Sequence, residues 1–292
     1  MSNILITGGT GSLGLSLISM MPNDSVISIS RNEFLISKAR EMFPHVKFVL
    51  GDIRDISSVE SYFKNIDIVI HSAAVKHVNN GELFSSEIIK TNILGTQNII
   101  DLSIKNNVSQ FIFISSDKSA YVDNLYGATK LTGERIVLSK SIKSKTIRFG
   151  NLIGSNGSVF DIWKNSKNAI NLTDKSMTRF FISKQDASNF IINCINNELL
   201  ANKVIVPKLK SVKMEDIANV FSSQLKIPVK ISGIRPGEKI KEFLMTSEEF
   251  AHSSDHGDFW TLNHNNINNG DISQIDSSLS TKWDVDDLFN MI

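Results

Sequence analysis

The first twenty residues constrain the fold more than any other part of the chain. A short apolar segment, residues 3–6, is followed at once by the glycine-rich turn TGGTGSLG and then by residues 12–20, which have the spacing of a helix. A strand, a glycine-rich turn and a helix in this order are typical of the first unit of a dinucleotide-binding sheet. The spacing is GxxGxxG instead of GxGxxG, and the alternative is a plain structural turn.

Each glycine of this turn has a predicted role. Gly8 permits the tight turn, Gly11 lets the backbone approach a pyrophosphate, and Gly14 lets the helix pack closely on the strand. Phosphates are expected at the helix N-terminus, where free N–H groups and the helix dipole favour anions. The candidate cofactor-binding residues of the turn are Gly8, Thr10, Gly11, Ser12, Leu13 and Gly14.

Apolar strand segments and helical segments alternate along the first half of the chain. After the first strand, further strands are predicted at 25–30, 47–50, 66–70, 110–114 and 145–148. Six strands alternating with helices predict an α/β fold with a right-handed, doubly wound parallel sheet, the Rossmann arrangement. Ligands of such a sheet lie outside the carboxyl ends of its strands.

Beyond Arg148 the sequence changes character, beginning with a polar, glycine-rich stretch over residues 149–158. We assign residues 1–150 to a dinucleotide-binding domain, to which a helix at about 184–198 returns. Residues 151–183 and 199–292 are assigned to a smaller C-terminal substrate-binding region. Within it, residues 251–281 are rich in Ser, Asn, Asp and His and are predicted to form a long loop.

The ends of the second and third strands supply candidate cofactor residues. Ser30 and Arg31 place a hydroxyl and a guanidinium where an NAD site usually has an acidic residue, so NADP is favoured over NAD. Glu33 lies close enough to keep NAD open. Asp52 is expected to accept from the adenine amino group while Ile53 packs on the ring, and the alternative for Asp52 is a helix cap.

The fourth strand leads into HSAAVKHV, which begins at residue 71. The small residues Ala73 and Ala74 would let a cofactor lie against the backbone. Lys76 and His77 are candidates for facing a phosphorylated substrate, with solvated loop residues as the alternative, and Lys76 is also a candidate cofactor residue. Asn92, on a following helix, is a candidate polar anchor beneath the active site.

The stretch SSDKSAYVDNLYGATK, residues 115–130, contains the candidate catalytic residues. Tyr126 and Lys130 are four residues apart on a predicted helix and so share one face. A phenol titrates near ~10, and a neighbouring ammonium favours its ionised form. Asp117 and Lys118 add an acid and an amine at the strand end. The alternative is a surface tyrosine and a solvated lysine.

Composition excludes several classes of function. A net charge of +1 gives no electrostatic case for nucleic acid or an anionic membrane surface, and no apolar run reaches the ~18 to 20 residues of a membrane span. The single cysteine, Cys194, suits a reducing compartment, and a strand at the N-terminus leaves no room for a signal peptide, so a cytoplasmic protein is predicted. Asp255, His256 and Asp258 match no metal-ligand spacing, and no metal site is predicted.

The glycine turn, the YxxxK pair and HSAAVKHV resemble the extended short-chain dehydrogenase/reductase family, which acts on nucleotide sugars. Further blocks are similar to the inverting UDP-N-acetylglucosamine 4,6-dehydratases: SSDKSAYVDNLYGATK, RFGNLIGSNGSV, MTRFF, VPKLKSVKMEDIA and GIRPGEKI. The chain departs from that group at Ser116, where Thr is common, and at Asn79 and Val122, where Pro is common.

The resemblance implies transient oxidation at C4 of a sugar. Tyr126 removes the 4-OH proton while hydride leaves for the nicotinamide, and Ser116 hydrogen-bonds the C4 oxygen. Lys118, if neutral, takes the C5 proton, and Asp117, if protonated, assists departure of the 6-OH as water. Hydride then returns to C6, and C5 is reprotonated from the opposite face. Lys130 holds the cofactor ribose, and a homo-oligomer is expected.

The predicted substrate-binding residues lie mostly in the second half of the chain. Among them Arg179 and Arg235, with Lys239 beside them, are expected to meet a diphosphate, although each taken singly resembles a surface cation. The full set is Lys76, His77, Asn92, Asn151, Ser158, Val159, Arg179, Arg235 and Glu238. Alternative functions are a nucleotide-sugar 4-epimerase, a retaining 4,6-dehydratase and a non-catalytic cofactor-sensing protein.

Overall fold

A nine-stranded sheet forms the centre of the protein, which is described from a computed structural model at residues 2–76, 83–262, 268 and 270–292. The strands of this part of the chain are β1 Asn3–Thr7, β2 Ser25–Ser30, β3 Lys47–Leu50, β4 Ile68–His71, β5 Gln110–Ser116, β6 Ser144–Phe149, β7 Asn151–Leu152, β8 Ile170–Leu172, β9 Thr178–Ile182, β10 Lys203–Pro207, β11 Lys210–Lys213, β12 Val229–Ile231, β13 Ser253–Asp255 and β14 Phe259–Leu262.

The large sheet has the strand order β3-β2-β1-β4-β5-β6-β10-β14-β13. Neighbours from β3 through β10 are parallel, and the β13–β14 hairpin adds antiparallel strands at one edge. The order reverses between β1 and β4, so their carboxyl ends form the crevice in which doubly wound sheets bind ligands. The predicted α/β fold with a doubly wound parallel sheet is confirmed.

The α-helices of the described residues cover both faces of this sheet and support the smaller sheets. They are α1 Ser12–Ser19, α2 Glu33–Met42, α3 Ile56–Val59, α4 Ser85–Ile89, α5 Gly95–Lys105, α6 Leu125–Leu138, α7 Val159–Lys164, α8 Lys184–Asn196, α9 Met214–Leu225, α10 Ser247–Ala251 and α11 Val285–Asn290.

Alternate residues of the central strands pack into different hydrophobic clusters, because successive side chains of a strand point to opposite faces. On β1, Ile4 and Ile6 belong to one cluster and Leu5 to another. On β5, Ile112 and Phe111 divide in the same way. Burial on both faces explains why these strands are continuous apolar runs.

Helix α8 packs on the large sheet beside α1, although it lies far along the chain. The Ser188 hydroxyl donates to the Ser16 hydroxyl at 2.8 Å. At its other end, the ammonium of Lys145 on β6 donates to the carbonyls of Cys194 and Ile195 at 2.7 and 2.9 Å. These carbonyls belong to the last turn of α8, where a cation is favourable.

The C-terminal half also contributes strands to the large sheet. Strand β10 pairs with β6, and the β13–β14 hairpin follows it, although residues 199–292 were assigned to the substrate-binding region. The prediction of a long loop over 251–281 is wrong where this hairpin forms. Its polar residues Ser253 and Thr261 are buried, and polar composition concealed two short strands.

The remaining strands form two small sheets, β11-β9-β7 and β12-β8, beside the large one. They surround a separate hydrophobic cluster in which the aromatic rings of Phe160, Trp163 and Phe221 meet. No helix of the described residues is long and apolar enough to cross a membrane.

Candidate active site

The carboxyl end of β5 carries a short helical turn, Asp117–Ser119, which we call the catalytic turn. The Ser116 hydroxyl caps it, accepting from the Lys118 backbone N–H at 3.3 Å and donating to Asp117 Oδ1 at 3.0 Å. Lys118 Nζ donates to the same Asp117 oxygen at 3.0 Å. The strand end therefore holds a hydroxyl, a carboxyl and an amine in mutual contact.

Helix α6 begins against this turn. Asn124 caps it by accepting from the Gly127 N–H at 2.8 Å. A Cβ at Gly127 would lie 2.1 Å from the Lys118 carbonyl oxygen, so only glycine allows this close approach. The Tyr126 phenol lies close enough to the Ser116 hydroxyl and to the Lys118 ammonium for both to affect its pKa.

The phenol is not activated by its surroundings alone. Burial raises the pKa of Tyr126 above its ordinary value, and the Lys118 charge and the Ser116 hydrogen bond offset this only in part. The charge on Asp117 raises the pKa further. The sequence pointed to Lys130 as the neighbouring ammonium, whereas here Lys118 is the cation that acts on the phenol.

Lys118 is surrounded by carboxylates, which do not favour the neutral amine that the resemblance requires. Burial alone would lower the pKa of Lys118, but Asp117 and Glu242 outweigh it and raise the pKa above its ordinary value. Glu242 Oε1 lies 3.6 Å from Lys118 Nζ and 3.7 Å from Arg179 Nε. Sequence reasoning missed Glu242 because it lies far along the chain and belongs to no local pattern.

Lys130 lies deeper, on the same face of α6 as Tyr126. Its ammonium stands over the Phe113 ring, 4.3 Å from the ring centroid. Burial lowers the pKa of Lys130 to about 8, and the charge of Glu134 only partly opposes the shift.

Asn92 anchors the loop after β4 to α6. Its amide oxygen accepts from the Val75 N–H at 2.8 Å, and its amide nitrogen donates to the Val75 carbonyl and to Thr129 Oγ1, each at 3.0 Å. With all three contacts inside the protein, Asn92 lies beneath the candidate site as a structural anchor.

The glycine-rich turn has the geometry of a phosphate cradle. Gly8 has a φ of +72°, and a Cβ at Gly14 would lie 2.4 Å from the Gly9 Cα. Gly11, the N-cap of α1, provides no side chain to cap the helix, so the first N–H groups of α1 are left for an anion. Thr10 and Ser12 present hydroxyls at this turn, while Leu13 is buried.

Of the residues predicted to contact the adenine and its ribose, some are exposed and others already have partners within the protein. Ser30 Oγ is 2.7 Å from Thr10 Oγ1, and Arg31 is exposed beyond it. Both oxygens of Asp52 accept from Arg54, a residue that sequence reasoning missed, which lowers the pKa of Asp52. Ile53 is buried in the core.

Two further candidates lie beside the glycine turn. The backbone of Ala73 is the closest neighbour of Gly8, and Ala74 is half-buried next to it. Lys76 Nζ donates to the Asn156 carbonyl at 2.9 Å, and the Asn156 N–H donates to Ser12 Oγ at 3.1 Å. Loop 154–158 therefore contacts the glycine turn. His77 lies outside the described residues.

The cations expected to meet a diphosphate do not form a free cluster. The Arg179 guanidinium is buried and donates to the carbonyls of Thr178, Lys239 and Ile240. Arg235 pairs with Glu238 at 2.6 Å.

Lys239 donates to the carbonyls of Ala120 and Tyr121 and so holds the segment between the catalytic turn and α6.

The remaining predicted substrate-binding residues form hydrogen bonds or helix contacts within their own region of the protein. Asn151 donates to the Phe180 carbonyl, Ser158 caps α7 by accepting from the Asp161 N–H, and Val159 begins that helix.

Residues 4–264 match the family described as polysaccharide biosynthesis protein. The chain belongs to this family. It is 37% identical over 265 residues, 85% of the chain and 78% of the relative, to UDP-N-acetylglucosamine 4,6-dehydratase (inverting) of Campylobacter jejuni. The resemblance drawn from its sequence motifs is thereby confirmed.

The chain is also similar to a second curated relative and to a solved structure. UDP-glucose 4-epimerase of Rickettsia bellii is 33% identical over 282 residues, 89% of the chain and 82% of the relative. The solved structure of Pen from Bacillus thuringiensis superposes with a TM-score of 0.91 at 31% identity, covering 100% of this chain and 96% of that one.

Proposed function

We propose that the protein is an NADP-dependent nucleotide-sugar 4,6-dehydratase that inverts C5. Its substrate is UDP-N-acetylglucosamine and its product UDP-2-acetamido-2,6-dideoxy-β-L-arabino-hexos-4-ulose. The observation that carries this proposal is the contact of Ser116, Asp117, Lys118 and Tyr126 at one strand end. The inverting relative with 37% identity supports it.

The residues divide the chemistry between them. Tyr126, in its ionised form, takes the proton of the 4-OH, and Ser116 hydrogen-bonds the C4 oxygen. The resulting ketone acidifies the C5 proton, which Lys118 takes, while Asp117 gives a proton to the departing 6-OH so that water leaves. A nicotinamide, when bound, would supply the hydride chemistry that the chain lacks, as the acceptor from C4 and the donor to C6, and protonation of C5 from the opposite face completes the inversion.

The ion pair of Lys118 and Asp117 is one proton transfer away from the forms this reaction needs. In the structure the ammonium donates to the carboxylate at 3.0 Å. Transfer of that proton along the hydrogen bond gives a neutral amine, the base for C5, and a carboxylic acid, the donor for the 6-OH. No further acid or base is required for the elimination.

The cradle fits a dinucleotide, and its residues favour NADP. Gly8, Gly11 and Gly14 leave room for a pyrophosphate at the start of α1, and Lys130 would hold the ribose next to the nicotinamide. Arg31 is exposed beside the Ser30 hydroxyl and would meet a 2′-phosphate. Arg31→Asp is therefore expected to weaken NADP binding at least tenfold and NAD binding little, as measured by fluorescence titration with both reduced cofactors.

A proton NMR time course with UDP-N-acetylglucosamine and NADP tests the activity. We expect a new 6-methyl doublet, inverted C5 and no net change in the absorbance of reduced cofactor. Asp117→Asn and Tyr126→Phe are each expected to reduce the rate about 10²-fold or more, because each removes an acid–base group. The matched controls Asp216→Asn, at an exposed position of α9, and Tyr62→Phe should leave the rate unchanged.

The second candidate is a nucleotide-sugar 4-epimerase, which the 33% identity to a relative of that name supports. It would use Tyr126 without Asp117 or Lys118. The same time course separates the two, because an epimerase gives a C4 epimer that keeps its 6-OH. A retaining dehydratase would give the methyl doublet without inversion at C5. Such enzymes carry the pair Asp-Glu at this strand end, where this chain has Asp117 and Lys118.

A further inference from the structure

Glu242 is a buried carboxylate at the candidate active site to which neither the sequence motifs nor the proposed reaction gives a role. Its side chain is 4% exposed, and its Oε1 faces two cations, Lys118 Nζ at 3.6 Å and Arg179 Nε at 3.7 Å. Its Oε2 is buried without a hydrogen-bond partner among the described residues. A carboxylate is rarely buried unless a cation holds it, so Lys118 and Glu242 stabilise each other.

The position of Glu242 is set by the C-terminal part of the chain. Its N–H donates to the Ser277 hydroxyl at 2.9 Å, and its carbonyl accepts from the Ser277 N–H at 3.0 Å. In the same segment, Lys239 donates to the Ala120 carbonyl at 3.1 Å, directly after the catalytic turn. The backbone of the segment is therefore fixed on both sides, which keeps the Glu242 side chain within reach of Lys118.

We propose that Glu242 is a positioning residue that acts through Lys118: its carboxylate holds the Lys118 side chain at the catalytic turn, stabilises its ammonium form and thereby sets the pH at which the Asp117–Lys118 pair works. The effect on the reaction rests on the proposed function, in which Lys118 must release its proton before it takes the proton of C5. Glu242 opposes that release.

The charged and titratable groups around Lys118 give the sign of the effect. Asp117 on its own turn and Glu242 favour the ammonium, whereas Arg179 and burial disfavour it. Tyr126, on α6, interacts with the same amine. Glu242→Gln removes a negative charge from Lys118 and leaves Arg179 without its carboxylate. Both changes favour the neutral amine, so Lys118 loses its proton at lower pH.

The direct test follows the protonation of Lys118 without any turnover. The full-length protein is treated with acetic anhydride across a range of pH, and the acylation of each lysine is read by peptide mass spectrometry. The Lys118 side chain is 17% exposed, and the exposed Lys167 serves as an internal reference. In Glu242→Gln the half-maximal reactivity of Lys118 is expected to move about one pH unit or more to lower pH.

Two further variants keep the test decisive. Glu242→Asp retains the charge but withdraws it by one methylene group, so its shift should fall between those of the wild type and Glu242→Gln. Glu215→Gln, a matched change at the Lys213 ion pair, should leave Lys118 unaffected. An unshifted Lys118 profile in Glu242→Gln overturns the proposal, and if that variant does not fold, an unshifted profile in Glu242→Asp does so.

The pH dependence of kcat for sugar dehydration then links the residue to the reaction. The rising limb of the profile should move to lower pH in Glu242→Gln by the same interval as the Lys118 reactivity. If the wild type forms no 4-keto-6-deoxy sugar, the proposed function is wrong, and the acylation profile still decides the role of Glu242. If the wild type forms that product and both profiles are unshifted, the inference about Glu242 alone is wrong.

Discussion

The catalytic turn and helix α6 each bring a lysine to the same site, but they surround it differently. At the turn, Lys118 touches the carboxylate of Asp117 and lies near that of Glu242. On the helix, Lys130 lies over the Phe113 ring, and the carboxylate of Glu134 is the one whose charge acts on its pKa. The pKa of Lys118 is consequently raised by its neighbours, while burial lowers the pKa of Lys130 to about 8.

Glu134 raises the pKa of Lys130 only a little, because its carboxylate already interacts with other groups. Its Oε1 accepts from Ser115 at 2.5 Å, from Ser119 at 2.9 Å and from Arg148 Nε at 2.8 Å. Arg148 is fully buried, and its second carboxylate partner is Glu249. The comparison shows that burial alone does not determine the pKa of a lysine: the number of carboxylates that face it, and the extent to which other cations share them, also matter.

The largest difference between the two lysines is expected in stability. Lys118→Met leaves the fully buried Asp117 and the adjacent Glu242 without the ammonium between them, which should lower the free energy of unfolding by about 3 to 5 kcal/mol. Lys130→Met places an apolar side chain over Phe113 and should lower it by no more than about 1 kcal/mol. Urea unfolding at neutral pH measures both.

The control for this pair of variants is Lys105→Met, which breaks an exposed ion pair with Glu60. Such pairs contribute about 0 to 1 kcal/mol, so little change is expected. Equal losses of stability in Lys118→Met and Lys130→Met would contradict the contrast between the turn and the helix.

The second test uses the pH dependence of stability. Because the folded-state pKa of Lys130 is about 8, below its unfolded value, the unfolded chain binds the proton more tightly. Stability contributed by Lys130 should therefore rise with pH above about 8, by about 2 kcal/mol between pH 8 and pH 10. Urea unfolding across this range should show a rise that is larger by this amount in the wild type than in Lys130→Met.

The contacts that the sequence predicted best are local ones. Strands β2 and β3 have the predicted bounds, because apolar runs are visible within short windows. Ser116, Asp117 and Tyr126 come together because one strand end and the next helix carry them. The β13–β14 hairpin was missed because polar residues such as Thr261 are buried in it.

The features that sequence analysis missed depend on segments that packing brings together. Glu242 reaches Lys118 from the C-terminal region, and Arg54 occupies the Asp52 carboxylate that was expected to be free for adenine. The direction of a pKa shift has the same origin. Lys118 and Lys130 are both amines near a tyrosine in the sequence, and only their burial and their distant partners distinguish them.

The smallest expected effect is that of the Phe113 ring on the pKa of Lys130. Phe113→Leu removes the ring face beneath the Lys130 ammonium, an interaction of about 0.5 to 2 kcal/mol. Without the ring the protonated form is less stable, so the pH at which stability begins to rise should fall by up to about one unit. Phe63→Leu, in the same hydrophobic cluster but without a lysine over its ring, should lose stability with no change in that pH. If Phe113→Leu also leaves the pH unchanged, burial and Glu134 alone set the charge of Lys130, and the ring only fills space.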